Sequence, residues 1–165
     1  MTLHRADIAA RDTLACPIQD SSELSLKING FSFSQLDSQP GDIPPGFSTA
    51  QVSFTVTNPL NWRQACSGTV IKQQDGVWQD ADGSMWFRCG TSSTPDPACS
   101  NCTHFQFGWG HESWRLALNQ TWPCDPISYE VSGSTILDPE CTPSTNSYFS
   151  CSAPDFSLSV ALKDQ

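Results

Sequence analysis

Apolar and polar residues alternate with period two through most of the chain beyond its first twenty residues. Leu24-Ser25-Leu26-Lys27-Ile28 reads as a strand with one buried face, and Phe31 and Phe33 extend it past Gly30. Val52-Ser53-Phe54-Thr55-Val56-Thr57 alternates again and stops at Asn58-Pro59. Gln64 to Ile71 and Met85 to Arg88 are two further strand candidates, divided by the turn dipeptides Asp75-Gly76 and Asp82-Gly83. Later candidates are His104–Phe107, Trp114–Leu118, Ile127–Ile136 and Phe156–Leu162. Residues 37–47 and 91–101 are rich in Pro, which suits neither helix nor ladder, and read as loops.

This pattern predicts about eight to ten short strands with little or no helix. The expected fold is all-β, a single antiparallel β-barrel or barrel-like sandwich stapled by disulfides. Residues 1–15 read as a flexible tail and residues 16–165 as one domain. No repeat, low-complexity tract or linker divides the sequence.

Composition then narrows the function. Lys and Arg total 8 against 17 Asp and Glu, a formal charge of −9. Nucleic acid and anionic membranes both repel such a chain, and no run of roughly 20 apolar residues offers a membrane span. Eight cysteines, Cys16, Cys66, Cys89, Cys99, Cys102, Cys124, Cys141 and Cys151, suggest structural bridges made in an oxidising compartment. Secretion is the expectation. Residues 1–15 lack a signal-peptide core, so the chain is expected to be a mature form whose leader was replaced by a start Met. The sequons at Asn101 and Asn119 would permit N-glycosylation.

Candidate chemistry is sparse. Cys99-Ser100-Asn101-Cys102 is a C-x-x-C, but it lies in a Pro-rich loop leading into a strand, where bridging is favoured over redox work. A zinc site using Cys99, Cys102 and His104 lacks a fourth ligand at usual spacing. His104 and His111 flank a predicted hairpin around Gly108-Trp109-Gly110, and His111-Glu112 reads as an exposed turn pair. No catalytic or metal-binding residue, and no cofactor, is therefore assigned. Among the six tryptophans, Trp86 and Trp114 fall within strands and are expected in the core. Trp62, Trp78, Trp109 and Trp122 fall in loops and could form a ligand or partner surface, either a platform for a glycan or a pocket for a flat aromatic molecule.

The order of motifs resembles the Alternaria major-allergen family of secreted fungal β-barrel proteins. The features that carry it are Cys16-Pro17, the Leu24–Ile28 strand, Val52–Asn58, Cys66-Ser67, Trp86-Phe87-Arg88-Cys89-Gly90, Phe105-Gln106-Phe107, Leu116-Ala117-Leu118, Ile127-Ser128-Tyr129, Cys141, Tyr148-Phe149-Ser150-Cys151 and the strand from Phe156. The aromatic-aromatic-x-Cys-Gly element is the most specific of them. The resemblance implies a non-enzymatic effector or elicitor, allergen-like, that binds a host extracellular protein. Carriage of a small flavonoid-like ligand is a further theme of the family. The resemblance also implies bridges Cys66–Cys89 and Cys141–Cys151. The founding allergen uses the cysteine matching Cys16 to join two subunits. Here Cys16, Cys99, Cys102 and Cys124 can pair in three ways, so a monomer and a disulfide-linked dimer both remain open. The loop at 37–47 and the insertion between Cys66 and Cys89 depart from the family pattern.

Overall fold

The alternating segments form strands. A computed structural model describes residues 24–37, 48–72, 78, 84–90, 102–109, 114–124, 127–142 and 148–162, with residues 122–124 and 127–128 described for their backbone alone. The strands are β1 (Ser25–Leu36), β2 (Thr49–Thr57), β3 (Arg63–Ile71), β4 (Phe87–Arg88), β5 (Cys102–Gly108), β6 (Trp114–Cys124), β7 (Ile127–Leu137), β8 (Glu140–Cys141), β9 (Tyr148–Ser152), β10 (Phe156–Ser159) and β11 (Ala161–Leu162). There is no helix among the described residues. One sheet runs β3-β2-β1-β9-β8, with β10 also pairing β1, and the other runs β11-β7-β6-β5-β4. Every pairing is antiparallel.

β1 is the centre of the first sheet, lying beside β2 on one side and β10 then β9 on the other. Ile28 and Phe31 are both buried although three residues apart, because β1 carries one extra residue between the pairs Asn29–Thr55 and Ser32–Ser53. This bulge returns Phe31 and Phe33 to the core face. It needs Gly30 at φ 64°, a left-handed conformation that glycine takes without steric cost. Asp155 clasps the bulge, accepting a bond from the Gly30 N–H at 2.9 Å and another from Asn29 Nδ2 at 3.0 Å.

The two sheets face each other over a phenylalanine-rich core. Phe31, Phe33, Phe105 and Phe107 are almost fully buried with Leu26, Ile28, Leu116, Leu118 and Leu158. Their rings meet tilted or edge-on, Phe31 to Phe107 at 5.5 Å and Phe54 to Phe105 at 5.0 Å, the arrangement that aromatic quadrupoles favour.

The sheets are tied at both margins. At one, the last strand changes sheets: β10 pairs β1, the Val160 N–H bonds the Leu24 carbonyl at 3.0 Å, and β11 pairs β7. Gly133 on β7 permits this crossing, since a side chain there would collide with the Ser159 carbonyl oxygen. At the other margin the Cys66–Cys89 disulfide and a bond from the Gly90 N–H to the Ala65 carbonyl at 2.8 Å join the two sides. The Phe87 ring lies so close over Gly68 that a Cβ there would meet it at 2.9 Å. Among the described residues no continuous ladder runs right round the molecule. The observed architecture is therefore two facing antiparallel sheets.

A second disulfide, Cys141–Cys151, pins the short β8 to β9. These are the two pairs that the family resemblance implies. Cys102, at the start of β5, is disulfide-bonded as well, and no described cysteine is free. Cys16, Cys99 and the side chain of Cys124 lie outside the described residues. Such bridges are compatible with an extracellular protein.

Candidate functional site

The register of β9, β1, β2 and β3 sorts the outward side chains of the first sheet into rows. Tyr148 faces Leu36, Leu36 faces Thr49, and Thr49 faces Ile71. Three of these four are large, apolar and exposed: Tyr148 at 46%, Leu36 at 47% and Ile71 at 44%. The next row is Ser150, Ser34, Gln51 and Thr69, and the one after it Ser152, Ser32, Ser53 and Ser67. Beyond the bulge the face ends in Lys27, Thr57 and Arg63. An apolar bar at one end thus borders a field of uncharged hydroxyls and one amide.

The same end of the molecule gathers aromatic rings. Trp109 stacks on Phe107 at 6.0 Å and tilts against Phe33 at 5.3 Å, closing the end of the core. Trp78 meets Trp109 edge-on at 6.0 Å, and the Lys72 ammonium lies 5.7 Å over the Trp78 ring. Lys72 also pairs with Asp37 at 3.8 Å. Of the four loop tryptophans singled out from sequence, the fold therefore brings Trp78 and Trp109 together. Trp62 sits at the opposite end, in the β2–β3 turn, and the side chain of Trp122 lies outside the described residues.

The two strand tryptophans divide. Trp114 is half-buried, edge-on to Phe33 at 5.0 Å, whereas Trp86 is 48% exposed. The reason is the strand period: Phe87 points inward against Gly68 and Phe105, so its predecessor points out. The strand expected over Met85–Arg88 is correspondingly reduced to Phe87–Arg88.

Two recesses bear on ligands. One of about 300 Å³ lies on the hydroxyl face and is lined by Ser32, Ser34, Glu140, Thr142, Tyr148, Ser150 and Ser152 over Phe33 and Cys151. The other runs between the sheets beneath Trp109, with Phe33, Val52, Val70 and Phe107 on its walls. Its free space is only about 10 Å³, no more than one water occupies. That slot does not accept a flat aromatic ligand in this conformation.

Elsewhere, His104 stands opposite Arg88 across β4 and β5. Partial burial, and then the Arg88 charge, push its pKa below the ordinary 6.5 and favour the neutral ring. His111 lies outside the described residues. No group of three or more metal-ligating side chains occurs among the described residues. Asn119 is a half-buried residue of β6 whose Nδ2 donates to Glu130 Oε1 at 3.1 Å, and Asn101 lies outside the described residues. No protein-family model matches this chain, and no curated protein matches its sequence.

Proposed function

We propose that this is a secreted, non-catalytic effector or elicitor-like protein that acts by binding a host extracellular protein. The observation that carries the reading is the exposed bar of Tyr148, Leu36 and Ile71 across four adjacent strands. Scattered exposed apolar residues are ordinary, but a row in register next to rows of serine, threonine and glutamine has the make-up of an interface centre, where charges are depleted and tyrosine is enriched. The motif order of the Alternaria allergen family supports the effector role and the fungal origin. The same reading takes the two sheets as one flattened barrel. In support, the chain crosses sheets at Val160, and the Cys66–Cys89 bridge spans the opposite margin.

The test is capture from plant apoplastic fluid by wild type and by Leu36→Glu and Ile71→Glu variants with unchanged circular dichroism. A specific protein retained by wild type and lost by both variants supports the proposal. Equal retention by all three proteins overturns this face as the binding surface.

A further inference from the structure

The recess on the hydroxyl face has a more regular make-up than an ordinary serine-rich surface. Ser32 and Ser34 on β1 stand opposite Ser152 and Ser150 on β9, so four hydroxyl positions mark a rectangle. Its sides follow from sheet geometry, about 4.8 Å across strands and about 6.8 Å along them. β8 and the residue after it add a third column, with Glu140 opposite Ser152 and the Thr142 N–H bonded to the Ser150 carbonyl at 2.8 Å. Tyr148 stands at one end, half exposed.

Several of these groups are held in place. Ser32 Oγ lies 2.8 Å from Ser53 Oγ, and Thr142 Oγ1 lies 3.1 Å from Ser150 Oγ. The Ser34 and Ser152 side chains have no hydrogen-bond partner among the described residues, and Glu140 makes no ion pair among them. The result is a shallow basin with fixed hydroxyls, two uncommitted ones, one carboxylate and one phenol ring.

Charge and size select the ligand. Among the described residues no Lys, Arg or His lines the basin, and a chain of net charge −9 repels anions, so phosphate and acidic sugars are disfavoured. A single carboxylate is too few for a hard cation, which takes six or more oxygens. A volume of about 300 Å³ is at the small end of ligand sites, too small for a folded partner. What remains is a neutral polyol with one apolar face. Its hydroxyls can donate or accept as the serine hydroxyls do, Glu140 can accept two of them, and its C–H face can lie on Tyr148. We propose that this basin binds a neutral hexopyranose unit of an oligosaccharide. This inference does not rest on the protein-binding reading.

The experiment is an amide NMR titration of the full chain with glucose and mannose oligosaccharides up to about 10 mM, a concentration that exposes even millimolar affinities. An acidic galacturonate oligomer serves as control. Shifts centred on Ser32, Ser34, Thr142, Ser150 and Ser152 with a neutral oligomer, and none with the acidic one, are expected. Ser34→Val and Ser152→Val should each weaken binding about three- to tenfold, and Glu140→Gln tenfold or more. Ile71→Glu, two strands away from the basin, should leave sugar binding intact while abolishing host-protein capture, so the two proposals fail separately. Absence of shifts with every neutral oligomer overturns the sugar site. So does binding that Ser34→Val and Ser152→Val leave unchanged while their folds are intact.

Discussion

Asn58 shows how much a single side chain organises. It ends β2 and is 4% exposed, and its Oδ1 accepts bonds from the Leu60 and Trp62 N–H groups, each at 3.0 Å. Its backbone closes the same turn, with Asn58 N–H to the Trp62 carbonyl and Asn61 N–H to the Asn58 carbonyl, while Asn61 takes φ 59°. Replacing Asn58 with Ala leaves two N–H groups without their acceptor in a part-buried turn. A loss of about 2 kcal/mol in urea unfolding is expected. Asp155 works on the bulge in the same way, but its effect depends on pH. The bond from the Gly30 N–H, and then that from Asn29, hold its carboxyl below the ordinary value of 3.8. A folded-state pKa below the unfolded one gives stability that is complete above the unfolded value and drains away as pH falls through the folded one. Denaturation midpoints measured from pH 6 down to pH 2 should therefore drop less for Asp155→Asn than for wild type. Both residues stand beside Pro in the sequence, so their turn role was legible. Their particular partners were not, since Gly30 and Asp155 meet only through the pairing of β1 with β10.

The strands that sequence located best are those with one wet and one dry face. Leu24–Ile28 and Val52–Thr57 alternate because each buries every second residue, and both were found in β1 and β2. Tyr148–Ser152 gave a weaker signal: only Cys151 of its five residues is fully buried, so its hydrophobic period is nearly silent. Glu140–Cys141 is two residues held by its neighbour and a disulfide. The serine basin was equally hidden. Each serine by itself reads as ordinary surface, and the rows form only once register across β1, β2, β3 and β9 is set. At this scale the Cys66–Cys89 bridge is the element to test, because it links β3 to the residue following β4 at the margin opposite the strand crossing. It closes a loop of 23 residues, which by chain entropy is worth about 3 kcal/mol. The double variant Cys66→Ala with Cys89→Ala should lose about that much in thermal or chemical unfolding, while the far-ultraviolet spectrum of the sheets persists.

At the scale of the whole molecule, the described contact surface is poor in charge although the chain is acidic. Among the described residues, the charges on the hydroxyl face are Lys27 and Arg63 at its far end and Glu140 at its side. Binding through the Tyr148–Leu36–Ile71 bar should then depend on apolar contact rather than on ion pairing. Raising salt from about 50 to about 500 mM should change affinity for a captured host protein by less than about threefold. A steep fall would mean that charged loops make the contact. Composition made the acidity plain from the start, but where the charge is absent could be read only from the folded sheets. The crossing at Val160 has a consequence of another kind. The central strand β1 is the first of the described strands, and it is completed by β9 and β10 from the far end of the chain. Its sheet cannot be completed until β9 and β10 have been made. A chain built on such distant partners folds slowly for its size. Until β9 and β10 are in place, one edge of β1 has no partner, an open ladder on which a second copy of the chain could pair.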